Sequence, residues 1–187
     1  MDVGRTTRMA TAAALVAAAA LLPARARGQL AGKEEAAVRS VLPEAERVEA
    51  KDVVLTGEMV GRIERLARAR VKERVVTFYT GLRGGAPTGY AVIHSHVVRT
   101  KRETLAITFE PDGRIRRITV LAFLEPEEYR PSPRWLAHFE GKGGGDRLAT
   151  GQDIPPITGA TLTARGITEE SRWLLQALRE AFPEVRR

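Results

Sequence analysis

The segment Asp153–Thr163 reads Asp-Ile-Pro-Pro-Ile-Thr-Gly-Ala-Thr-Leu-Thr, and it concentrates groups that can do chemistry. Three hydroxyls, from Thr158, Thr161 and Thr163, fall within six residues. Between them stand Gly159 and Ala160, which have little or no side chain and let the backbone approach a ligand closely. Pro155 and Pro156 stiffen the approach. Helical spacing begins just beyond, so free N–H groups and the positive end of a helix dipole face these hydroxyls. A phosphate suits such a place. The same residues also describe a threonine-rich approach to a helix cap.

Other groups are sparser. His94 and His96 lie two apart, which on a strand puts both on one face. That spacing could hold a metal, but no third ligand is evident along the chain, and polar strand-face histidines are the plainer reading; no metal is expected. The chain has no Cys, which excludes disulfides, thiolate zinc sites, Cys-ligated clusters and a Cys nucleophile. A threonine hydroxyl is a weak nucleophile unless a base activates it. No His lies near Thr161 in the sequence, so any covalent chemistry there calls for an external enzyme. Arg130 and Arg134 could meet a phosphate or an acidic partner, though solvated arginines are commoner. Trp173 reads as core.

The bulk properties set bounds. A chain of 187 residues, 43% hydrophobic and 28% charged, suits one folded domain with a real core. The net charge is +7, but acids interrupt the bases throughout, as in Arg62-Ile63-Glu64-Arg65, and aromatic residues make up only 5%. Nucleic acid is therefore not an expected partner. At the N-terminus Arg5 and Arg8 precede an apolar run from Met9 to Leu22, followed by Pro23-Ala24-Arg25-Ala26. Residues 1–26 read as a signal peptide or, left uncleaved, an N-terminal anchor. No other segment is expected to cross a membrane. The expected location is periplasmic or otherwise exported.

The elements that must position these groups follow from periodicity. Glu34–Leu42 carries a short helical stripe ended by Pro43. Thr56 is a plausible cap for a helix bearing Val60, Ile63, Leu66 and Ala67 and fading near Arg70. Strands are expected at Val75–Thr80, Tyr90–Val98, Thr104–Phe109 and Ile115–Ala122. Gly81–Thr88 reads as a loop and Pro111-Asp112-Gly113 as a hairpin turn. An irregular loop, Pro126–Pro133, precedes a short helix at Trp135–Phe139 and a flexible connection at Gly143–Gly145. The last helix is expected to begin between Thr163 and Thr168 and to end before Pro183. Together these predict an α+β fold: an antiparallel sheet of about four or more strands with helices packed on it. Residues 27–84 would hold the N-terminal helical segment and first strand, and 85–187 the core that carries the motif, all in one compact domain.

Asp153, followed by Thr158-Gly159-Ala160-Thr161, resembles the flavinylation motif of the FMN-binding domain family. That family includes the periplasmic flavin subunits of the Rnf and sodium-pumping NADH:quinone oxidoreductase complexes. Its pattern is an Asp, then Ser/Thr-Gly-Ala-Thr, then often another Ser or Thr two residues on, here Thr163. Val120–Pro126, with Glu125, resembles the family's strand and acidic turn, and Trp135–Lys142 its apolar-Gln-Phe-x-Gly-Lys segment. Order and spacing agree over about residues 85–182. The chain departs from the pattern in lacking glycines after Glu125-Pro126 and in having His138 where Gln is common. These departures set it apart from true subunits of the large pumping complexes.

The resemblance implies an electron-transfer flavoprotein with FMN attached to the Thr161 hydroxyl by a phosphoester bond, a carrier more than a stand-alone enzyme, with no catalytic residues of its own. It implies a cofactor site of Thr158, Gly159, Ala160, Thr161, Leu162, Thr163, Glu125 and Lys142, with Asp153 as a recognition residue for the flavin transferase. That FAD-dependent transferase and redox proteins, membrane-bound ones among them, would be the partners. A module binding FMN or another ligand non-covalently, with a sensing or scaffolding role, is the alternative.

Overall fold

The computed structural model describes residues 32–186, and the side chains of 36–185. The expected signal segment at 1–26 lies outside the described residues. The first helix, α1 (Gly32–Val41), precedes strand β1 (Arg47–Val54) and helix α2 (Gly57–Ala67). Four strands follow, β2 (Val75–Arg83), β3 (Ala86–Val97), β4 (Arg102–Phe109) and β5 (Ile115–Phe123). The short helix α3 (Pro133–Leu136) and the long helix α4 (Thr161–Ala181) come after the strands. The fold is α+β, with one five-stranded sheet in the order β1-β2-β3-β4-β5 and every neighbouring pair antiparallel.

Alternation along the strands explains the layering. Phe78 on β2, Tyr90 and Val92 on β3, and Leu105, Ile107 and Phe109 on β4 share one face, and all are buried. Ile63 from α2 and Ile167, Trp173, Leu174 and Leu178 from α4 pack against them. Each such side chain contributes roughly 1.5–3 kcal/mol of burial. The opposite face holds a smaller cluster in which Val38 and Leu42 cover Tyr79 and Ala91. Thr56 caps α2 as expected, its hydroxyl accepting the Met59 N–H at 3.3 Å. Among the described residues no helix is long and apolar enough to cross a membrane.

Four points of the sequence reading need correction. Residues 81–88 are not a loop, because β2 runs to Arg83 and β3 starts at Ala86. Only Gly84 and Gly85 turn, at φ +56° and +84°, the left-handed pair that a two-residue hairpin requires. Strand β1 was not expected at all. It is an edge strand with mostly exposed, charged residues, so it has no apolar alternation to reveal it. Helix α4 starts at Thr161, earlier than the 163–168 window, because its first turn has no side-chain cap to mark it. The segment at 143–145 is tied down: Gly143 N–H donates to Asp146, and Gln176 Nε2 donates to the Gly144 carbonyl at 3.0 Å.

Candidate functional site

The earlier start of α4 decides the geometry at Thr161. The residue occupies the first helical position, and its side chain is exposed. Ala160 precedes it without a capping side chain, and the first helical hydrogen bond seen there runs from Ala164 N–H to the Ala160 carbonyl at 3.1 Å. The N–H groups of the first turn therefore lack the cap that a Ser or Asp would supply. The threonine-rich segment is not a cap.

The backbone leading to this end is shaped by one glycine angle and held by two hydrogen bonds. Gly159 sits at φ +80°, and nothing lies within 4 Å of where a Cβ would be, so glycine is needed for the angle and not for space. Ala160 is buried and donates its N–H to the Ile157 carbonyl at 3.1 Å. Farther back, Trp135 Nε1 donates to the Pro155 carbonyl at 2.7 Å, tying α3 to the Pro-Pro approach.

Thr161 opens onto a cavity of about 270 Å³ lined by Arg99, Tyr129, Gly159, Ala160, Thr161, Leu162 and Thr163. This is near the lower end of small-molecule sites, roughly 300 Å³. Arg99 brings a guanidinium and lies 5.3 Å from the centre of the Tyr129 ring. Leu162 is half exposed and gives the mouth an apolar edge, whereas Thr163 is buried. The lining includes no carboxylate and no imidazole, so it supplies no base for the Thr161 hydroxyl. A helix N-terminus, an arginine and an exposed hydroxyl suit a phosphate ester; the tyrosine and leucine suit an aromatic ring.

Arg99 and Tyr129 have no signal in the sequence. Arg99 belongs to the turn between β3 and β4, and Tyr129 to a 3-10 turn, Glu127–Tyr129, after β5. Glu125 is what links that turn to the sheet. Its Oε1 accepts the N–H groups of Arg99, Thr100 and Lys101 at 3.0, 2.7 and 2.8 Å. The bonds from Thr100 and Lys101 hold its carboxyl below the usual range. Glu125 thus carries Arg99 to the cavity without lining it.

Asp153 and Lys142 also stand outside the lining. Asp153 accepts the Leu148 N–H at 3.1 Å and the Ala149 N–H at 2.8 Å, and Lys142 Nζ lies 3.3 Å from its Oδ2. Burial would raise the Asp153 carboxyl, but these donors outweigh it and lower it. The arrangement staples a loop in which Leu148 adopts φ +45°. Thr158 is exposed one residue before the turning glycine. Arg130 pairs with Glu127 at 2.9 Å, and Arg134 is exposed.

His94 and His96 do face one side of β3, and both are buried. Glu170 of α4 meets them there. Its Oε2 lies 3.0 Å from His94 Nε2, and its carboxylate also accepts from Lys72 and Trp173. Burial would raise the Glu170 carboxyl, but the bonds from His94, Lys72 and Trp173 hold it at about 2. Next to this group, burial pushes His96 down to about 4 and Glu103 up to about 8.

No protein-family model and no curated protein matches the chain. Among solved structures, the crystal structure of NqrC from Shewanella oneidensis is similar, with a TM-score of 0.47 and 15% identity over 73% of this chain and 81% of that one. A likeness at that level leaves function to be read from the site itself.

Proposed function

We propose that this protein is an exported electron carrier that holds FMN covalently, through a phosphoester on the Thr161 hydroxyl. The observation that carries the reading is the exposed Thr161 at the open N-terminus of α4, facing a cavity that Arg99 and Tyr129 line. The motif Asp153…Thr158-Gly159-Ala160-Thr161 and its resemblance to the FMN-binding domain family give that position its chemistry.

In this reading the chain's residues bind and orient. On an FAD-dependent flavin transferase the Thr161 oxygen would attack the flavin-side phosphorus of FAD, breaking the pyrophosphate bond and releasing AMP, and its proton would go to a base that the transferase must bring, since the cavity lining has none. The N–H groups of the first turn and the Arg99 guanidinium hold the negative charge of the phosphate diester. Tyr129 and Leu162 shield one side of the ring from water. FMN held there supplies one- and two-electron redox chemistry. The tether prevents loss of the flavin outside the cell, and redox proteins, membrane-bound ones among them, exchange the electrons.

The test is coexpression with an active flavin transferase, followed by denaturation and in-gel fluorescence. A fluorescent band is expected. A dark band beside a second target that the same transferase labels overturns the proposal. Flavin that copurifies and is lost on denaturation would favour a non-covalent binding module.

A further inference from the structure

The buried group between β3 and α4 has a chemistry of its own. His94, His96 and Glu170 each offer one ligand atom, and the three atoms lie within 4.8 Å of one another. All three residues are at least nine-tenths buried. A salt bridge and hydrogen bonds account for part of this group, since Glu170 is satisfied by Lys72, His94 and Trp173. They do not account for His96. Among the described residues neither of its ring nitrogens makes a well-formed hydrogen bond, nor does either carboxylate oxygen of the adjoining Glu103, although His96 Nε2 and Glu103 Oε2 stand 3.3 Å apart. Four buried polar atoms without a well-formed hydrogen bond in one place are unusual, because each forfeits its hydration.

We propose that His94, His96 and Glu170 bind one divalent transition-metal cation, of which Zn²⁺ is the type, between β3 and α4. Two imidazoles and a carboxylate form a recognised ligand set that leaves a further position open. Ligand bonds of about 2.0–2.1 Å place tetrahedral donors roughly 3.3 Å apart. His94 Nε2 and Glu170 Oε2, at 3.0 Å, are near that spacing already. The widest pair must close by about 1.5 Å from its present limit, a shift within reach of side-chain rotation. Glu103 Oε2 lies 3.3 Å from His96 Nε2 and is the nearest carboxylate for the remaining position. Gly166 leaves the room, since a Cβ there would stand 3.0 Å from His96 Nε2.

A cavity of about 550 Å³ is lined by Glu170, Trp173 and Lys72, whose side chain is half exposed, so Glu170 is approached from it. Lys72 donates to Glu170 Oε1, leaving Oε2 toward His94, and its flexible stem lets it swing to solvent as a cation enters. Binding then gives His96 a ligand bond where it now has only a 3.3 Å contact to Glu103.

The colourless, transferase-free protein is the sample, so the outcome does not depend on the flavin reading. Co²⁺ is titrated in and followed by its visible absorption, and Zn²⁺ is then added in competition. One equivalent of Co²⁺ per chain, displaced by Zn²⁺, is expected. Changes beyond the ligand shell alone cost 10–100-fold in affinity, so His96→Gln and Glu170→Gln should each weaken binding by about 100-fold. His138→Ala removes the remaining histidine and should leave binding unchanged. Should His96→Gln fail to fold, imidazole NMR of the unmodified chain decides. Shifts at His94 and His96 with His138 unmoved support the site. Substoichiometric Co²⁺, an affinity in the two Gln variants unchanged from that of the unmodified chain, or a response at His138 alone overturns it.

Discussion

Glu125 Oε1 accepts the Arg99 backbone N–H at 3.0 Å, so a carboxylate just past the end of β5 fixes the turn that brings a guanidinium to Thr161. A family-like acidic residue thus serves the cavity by holding its wall. It need not touch a ligand to matter.

That bond has a pH signature. The folded Glu125 carboxyl lies below its ordinary value of about 4.5, because it accepts from Thr100, Lys101 and Arg99. A group depressed on folding contributes its stability fully above the unfolded value and loses it as pH falls through the folded one. The melting temperature should therefore fall below about pH 4.5. Glu125→Gln should melt lower at neutral pH and show a shallower acid decline, measured by circular dichroism. Equal curves for both proteins would deny Glu125 this role.

Thr161→Ala should abolish covalent flavin, because it removes the ester oxygen. Thr163→Ala should keep it, since Thr163 is buried at 1% exposure and out of a transferase's reach. Intact mass and in-gel fluorescence check both. Labelling of Thr161→Ala with loss in Thr163→Ala would move the attachment site.

Gly159→Ala tests the turn before the helix. At φ +80° with open space around it, alanine meets strain and no clash. The expected cost is about 1 kcal/mol, with slower flavinylation as the first-turn N–H groups shift. Denaturant unfolding and a labelling time course give the two numbers.

Trp135→Phe keeps an aromatic ring in the core and leaves the Pro155 carbonyl without its 2.7 Å donor. A loss of about 1 kcal/mol is expected. Trp135→Ala, which also opens a cavity, should cost about 3–5 kcal/mol.

Asp153 separates two roles. As the staple between Leu148, Ala149 and Lys142 it should lower the melting temperature when changed to Ala. Asp153→Asn retains one acceptor and should melt between the two. If Asp153→Ala melts like the unmodified chain yet is no longer flavinylated, the carboxylate is a recognition signal for the transferase.

Much of this molecule was legible along the chain, because the relevant physics is local. Thr56 caps its helix through a residue three positions on, β2–β5 betray themselves by alternation and β-branching, and the apolar stripe of α4 recurs at helical spacing. The Thr158-Gly159-Ala160-Thr161 turn is local too, with Gly159 at a left-handed angle. What pairing over long separations decides was not legible. Edge strand β1 exists because β2 offers it a partner, and not because its own charged residues prefer to be extended. Arg99 and Tyr129 reach Thr161 only through the sheet register and the Glu125 anchor. Glu170 meets His94 across 76 residues of sequence, where no spacing rule operates. Periodicity shows which face a side chain takes; only the packing of α4 on the sheet shows which other side chains share it.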